Sequence, residues 1–106
     1  MAYGVRGAYK LTVGEVVGDI QSIANGAPLT IRPEAGITWV IERIAYGGAC
    51  VITITDGTLS DTIDTLTIAG VISKGNYRIS HERYILVTNS SGGAATFEYS
   101  GYVVNA

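Results

Sequence analysis

The residues of this chain that could do chemistry are few: one histidine, His81, one cysteine, Cys50, and the spaced aspartates Asp56, Asp61 and Asp64. Hydrolysis or group transfer needs a base, a nucleophile or a metal held in fixed relation. His81 lies in Ser80-His81-Glu82-Arg83, where a strand would send Glu82 to the opposite face, so it reads as a turn or surface histidine. Cys50 opens the alternating run Cys50-Val51-Ile52-Thr53-Ile54 and reads as a small core hydrophobe. One histidine and one cysteine do not make a zinc site unless carboxylates or other subunits contribute. The aspartates offer the hard oxygen ligands of a calcium loop, but their spacing matches none, and aspartate also serves turns by bonding its own backbone. On a regular strand Asp61-Thr62-Ile63-Asp64 puts its two carboxylates on opposite faces, so no glycosidase pair is defined. Gly47-Gly48 and Gly92-Gly93 precede no helix and are tight connections rather than phosphate loops. No catalytic residue, metal ligand or cofactor site is expected, and the chain reads as a non-enzyme.

The elements that would carry these residues are strands. Asp19 to Ala24 leads to Asn25-Gly26, a turn pair tolerant of positive φ, and Leu29 to Arg32 ends at Pro33, which lacks a ladder donor. After Gly36 the run Ile37 to Ile44 places Ile37, Trp39 and Ile41 on one face and Thr38, Val40 and Glu42 on the other. Cys50 to Thr55 alternates again up to Asp56-Gly57, and Lys74-Gly75-Asn76 turns into Tyr77 to Ser80. Tyr84 to Asn89 is apolar on both faces, as a doubly covered central strand would be. In the final run, Phe97, Tyr99, Gly101 and Val103 oppose Thr96, Glu98, Ser100, Tyr102 and Val104. No window has helical periodicity, and β-branched residues and glycines oppose helix throughout. The expectation is an all-β antiparallel sandwich of roughly seven to eight strands. Its core is expected to include Ile37, Trp39, Ile41, Ile52, Ile54 and Leu86.

The first 18 residues differ from the rest, with Gly4, Gly7, Gly14 and Gly18 set among aromatic and branched residues. An extended arm lying against something fits this pattern, and so does an ordinary first strand with a frayed start. The domain reading is an arm over 1–18 and a sandwich over 19–106.

At 106 residues with 47% hydrophobic and 15% charged residues, the chain is one domain with unusually little charge, below the roughly 25% of soluble domains. A surface that charge does not cover is expected to be covered by protein. The net charge of −2 and scattered Lys and Arg exclude a nucleic-acid stripe. Met1 to Arg6 leads into no apolar signal region, and no run approaches the roughly 20 residues of a membrane span, so synthesis in a cytoplasm is expected. The seven tyrosines suit sugar stacking, interfaces or core.

The strings Asp19 to Gly26, Leu29 to Pro33, Gly36, Trp39, Ile41, Asp56-Gly57 and Tyr84 to Asn89 together resemble small jelly-roll-like virion proteins of tailed bacteriophages. These serve as capsid decoration (cement) proteins or as heads of virion fibres. The resemblance runs from Asp19 to Gly101-Tyr102-Val103 and rests on pattern rather than on a chemical motif; the N-terminal arm has no counterpart in it. It implies a homo-oligomer, commonly a trimer, on the outer capsid surface of a virion, with the major capsid protein as partner. In that setting the arm, through Tyr3, Val5, Arg6, Tyr9, Leu11 and Val13, would add to a capsid sheet edge. The competing expectation is a receptor- or glycan-binding fibre or spike head, presenting exposed loop aromatics such as Tyr46 and Tyr77. An accessory enzyme or carbohydrate-binding module is a weaker third.

Overall fold

The computed structural model describes residues 12–106. They form nine strands and no helix: β1 (Val16–Ile23), β2 (Pro28–Ile31), β3 (Thr38–Tyr46), β4 (Cys50–Thr55), β5 (Ser60–Leu66), β6 (Gly70–Ile72), β7 (Tyr77–Ser80), β8 (Tyr84–Asn89) and β9 (Ala95–Asn105). One antiparallel sheet runs β1-β9-β3-β6, with β7 also on β3, and the other runs β2-β8-β4-β5. Because β6 and β7 both pair with β3, at Ile44 to Tyr46 and Thr38 to Ile41, they act as one interrupted strand. With that merger the order is the eight-position, two-sheet winding of a jelly roll.

The turns follow their residue types. Gly26, Gly36, Gly57 and Gly92 take positive φ, and Asn76 does so at 55°, the one such non-glycine among the described residues. The strand count exceeds the expected seven or eight because the three-residue β6 is too short to leave a periodic signal. The boundary expected at residue 18 also moves. β1 begins at Val16 and pairs without a register shift from Val16 opposite Tyr102 to Ile23 opposite Ala95, so Val16 to Gly18 belong to the sandwich.

The core lies between the sheets. Leu29, Ile31, Ile41, Ile44, Ile52, Ile85, Val87, Phe97 and Val103 are fully buried. Ile41 and Ile44 are three apart yet both face inward, because Glu42 is an extra residue in β3 between Ile41 (opposite Gly101) and Arg43 (opposite Ser100). This β-bulge changes the phase of the strand. The bulge is fastened from outside, where the amide of Gly75 donates to the Glu42 carbonyl at 2.8 Å.

Of the expected core residues, Ile41 and Ile52 are fully buried, while Trp39 and Ile54 are partly buried against the cluster. Ile37 precedes β3 and is half-buried. Leu86 is a correction: Ile85 and Val87 point inward, so the period of two turns Leu86 outward. β8 does lie centrally between β2 and β4, but a second layer covers only its inner face, and Tyr84, Leu86 and Thr88 stay half-exposed.

Asn89 occupies the third inward position of β8 and is 1% exposed. Its side-chain amide donates to the carbonyls of Ile23 and Gly93, each at 2.8 Å, and its Oδ1 accepts the Ser91 amide at 2.9 Å. One polar side chain therefore ties the end of β1 to the β8–β9 loop, its donors and acceptor matched.

Candidate functional site

The outward face of the β2-β8-β4-β5 sheet is built by period-two alternation. Cross-strand pairing sets Pro28, Thr88, Val51 and Thr65 in one row, Thr30, Leu86, Thr53 and Thr62 in the next, and Tyr84, Thr55 and Ser60 in a third. None of these side chains is charged. The outward face of the other sheet differs, for Arg43 and Glu98 form an ion pair across it at 2.6 Å. Charge returns only at one end of the uncharged face. There Arg32, the residue after β2, stacks its guanidinium 4.2 Å from the centre of the Tyr84 ring and donates from Nε to the His81 carbonyl at 2.8 Å.

Threonine supplies a methyl and a hydroxyl at each site, so the face can exclude water and still meet hydrogen-bond partners. Such a surface suits contact with another protein: core interface regions are depleted in charge, and no ion need be stripped of water to cover it.

The sheet edges are guarded to different degrees. β2 is short and begins with Pro28, and the edge beyond β3 is split between β6 and β7. β5 carries an extra residue, Ile63, between Asp64 (opposite Ile52) and Thr62 (opposite Thr53). That bulge overturns the expected phase: Asp61 pairs with Ile54 and Asp64 with Ile52, so both aspartates take the inward-facing positions of the edge strand. Bulges, prolines, short strands and inward charges all hinder edge-to-edge pairing. β1 has none of the first three. It is eight residues long and regular, and it exposes Val16 at 77% and Ile20 at 61%.

The residues singled out for chemistry are placed as follows. His81 sits in the β7–β8 turn with Nδ1 3.0 Å from the Pro33 carbonyl, which can only accept, so Nδ1 carries the proton. Its Nε2 then accepts from the Arg32 guanidinium at 3.3 Å, and the ring clips the β2 end to the turn. Cys50 is fully buried; burial first, and the charge of Asp64 second, push its thiol up to about 11. Asp56 is exposed in the β4–β5 hairpin, where its Oδ1 accepts the amides of Thr58 at 2.8 Å and Leu59 at 2.7 Å. Those bonds, Leu59 first, hold its carboxyl below the usual carboxylate range. Asp56 and Asp61 border an open depression of about 220 Å³ with Leu59 and Arg83, and Asp64 lies elsewhere. Among the described residues no three His, Cys, Asp or Glu gather as a metal-binding group, and no helix is long and apolar enough to cross a membrane.

Tyr46 and Tyr77 pack against the core, their rings lying over Gly70 and Gly75. Tyr99 stacks on Trp39 with ring centres 6.3 Å apart. Of the arm residues, Val13 is exposed in a turn, and Tyr3, Val5, Arg6, Tyr9 and Leu11 lie outside the described residues. Sequence reasoning missed the uncharged face, although its signal is present: threonine, valine and leucine recur at the positions alternate to the core in β4 and β8.

Compared with family models and with characterised proteins, the chain matches none.

Proposed function

We propose that this protein is a structural binding protein of a phage virion, seating its uncharged threonine-rich face on the outer capsid and holding neighbouring major capsid subunits together. One observation carries the reading: two rows of outward side chains across four strands and a third across three hold no charge, on a protein that places an ion pair on its other face. Binding by such a face gains roughly 25 cal/mol per Å² of apolar area removed from water, less the ordering costs, and multiplies by the number of copies engaged. The jelly-roll winding is compatible with this role but hosts many others, so the fold alone does not argue for it. A homo-oligomer, commonly a trimer in the proteins it resembles, would present several such faces at once.

A fibre or spike head that binds a host glycan would need aromatic rings free at a loop. Tyr46 and Tyr77, the residues suited to that role, are packed against the core. That placement favours the capsid reading.

The test is co-sedimentation with capsids assembled from the major capsid protein of the same virus, comparing the chain with Thr30→Lys and Thr65→Lys. Both sites are exposed, so the fold should survive. Binding reduced at least tenfold with an unchanged circular dichroism spectrum supports the proposal. Undiminished binding removes the face from the mechanism, and no binding by the unaltered chain removes the capsid.

A further inference from the structure

Two arginines line one depression, and among the described residues no acid shares it. In β7 the buried Ile79 turns inward, so by period-two alternation Arg78 and Ser80 face outward. Thr38 of β3 pairs directly with Ser80 and shares that face. The β7–β8 turn then brings Arg83 back to the same place. The Ser80 amide donates to the Arg83 carbonyl at 2.9 Å, and the Arg83 amide donates to Ser80 Oγ at 3.2 Å. Arg78, Arg83, Thr38, Ser80 and Ile79 together line an open depression of about 260 Å³.

Each other described basic side chain is engaged or faces an acid. Arg43 pairs with Glu98, Lys74 shares a depression with Glu42, and Arg32 stacks on Tyr84 and donates to the His81 carbonyl. The guanidiniums of Arg78 and Arg83 form no ion pair among the described residues. Arg83 also borders the depression that holds Asp56 and Asp61, and it pairs with neither. Asp56 is already committed to the Thr58 and Leu59 amides. Two positive charges thus stand uncompensated at one place on a chain of net charge −2.

Like charges lining one depression repel, and an anion between them turns that repulsion into attraction. Guanidinium is the fork-shaped donor that recognises carboxylate and phosphate. The Thr38 hydroxyl can donate as well, and Ser80 Oγ, which accepts the Arg83 amide, keeps its own proton to give. These donors exceed what the two oxygens of one carboxylate require. A phosphate group offers three acceptor oxygens and up to two charges, which matches the set.

We propose that this depression binds a phosphate group, held between the Arg78 and Arg83 guanidiniums with the Thr38 and Ser80 hydroxyls as further donors. β3 and β7 belong to the sheet opposite the uncharged face, so the site stays open when that face is covered and does not depend on what covers it.

Inorganic phosphate titrated into the unaltered chain, against sodium chloride at equal ionic strength, tests the site by NMR. The Arg78, Ser80 and Arg83 amide signals should shift along a saturating curve that chloride does not reproduce. Arg78→Gln and Arg83→Gln should each weaken binding at least tenfold, and Lys74→Gln should leave it within twofold. All three side chains are exposed, so the fold should survive. Two further probes distinguish the source. Binding of dimethyl phosphate as tight as that of inorganic phosphate supports a diester, as in a lipid headgroup or a polymer, whereas binding of glycerol phosphate alone supports a free monoester. Acetate bound as tightly as phosphate overturns the phosphate assignment. Shifts that stay linear, match those of chloride or survive both arginine substitutions reveal an adventitious ion only and overturn the site.

Discussion

Gly101 of β9 lies against the carbonyl of Val40 on β3 so closely that a Cβ there would collide with that oxygen and would approach the Ile41 Cα to 2.9 Å. The contact sits beside the Glu42 bulge, where two β3 residues face one of β9. The bulge that turns Ile44 inward thus requires a residue without a side chain on the partner strand.

Gly101→Ala is therefore expected to destabilise the fold by about 3 kcal/mol, the upper range for overpacking, because backbone rather than a flexible side chain would have to move. Urea unfolding measures it: a lower midpoint at unchanged m-value is the expected result, and a midpoint within 0.1 M of the parent (about 0.2 kcal/mol at a typical m) would contradict it.

Asn89→Asp should destabilise the protein at neutral pH, because a carboxylate would face the Ile23 and Gly93 carbonyls that the amide now serves. Protonation restores a donor, so the difference from the parent should narrow as pH falls from 7 towards 4. Thermal unfolding across that interval checks it. Asn89→Leu should be destabilised by about 2 kcal/mol with no such pH dependence.

The buried thiol gives a prediction at the alkaline end. The folded Cys50 value of about 11 lies above the roughly 8.5 of a free thiol. A raised folded value means that the contribution is intact below the unfolded value and is lost as pH rises through about 11. Burial pushes the phenols of Tyr77 and Tyr99 upward too, with the charges of Asp64 and Asp19 second, and acts in the same direction. The melting temperature should thus fall above pH 9, and Cys50→Ala should remove part of the fall. At pH 8 a thiol reagent should label Cys50 in urea and leave the native protein unlabelled for hours.

At the acid end Asp56 has the opposite sign. Its depressed folded value means that its contribution is present above the unfolded value of about 3.9 and is lost as pH falls through the folded one. Asp56→Asn keeps an oxygen for the Thr58 and Leu59 amides but cannot titrate. Its melting temperature should accordingly change less than the parent's between pH 5 and pH 2.

Much of this architecture was legible in the residues, and the failures share one cause. Asn25-Gly26, Gly36, Asp56-Gly57 and Lys74-Gly75-Asn76 announced their turns because local φ preferences act over two or three residues. The alternation of Phe97, Tyr99, Gly101 and Val103 held along β9. Asp61 and Asp64 were misplaced because a bulge depends on the partner strand, which the local pattern does not report. Leu86 was assigned inward because hydrophobicity alone does not say which face of a strand a second layer covers. β4 and β8 each carry the pattern of the uncharged face, but its extent required knowing which four strands lie side by side. Asn89 was the recoverable miss, since a polar residue in phase with Ile85 and Val87, followed by Ser90-Ser91-Gly92-Gly93, signals a side chain that anchors a loop.

The seat of β9 between β1 and β3 governs how the molecule comes into being. During synthesis the two flanking strands emerge long before the piece that joins them, so half of the sandwich has no middle. Nascent chains should therefore stay protease-sensitive, and dependent on chaperone shelter, until Ala95 to Asn105 has cleared the ribosome. Folding is then expected to be late and all-or-none.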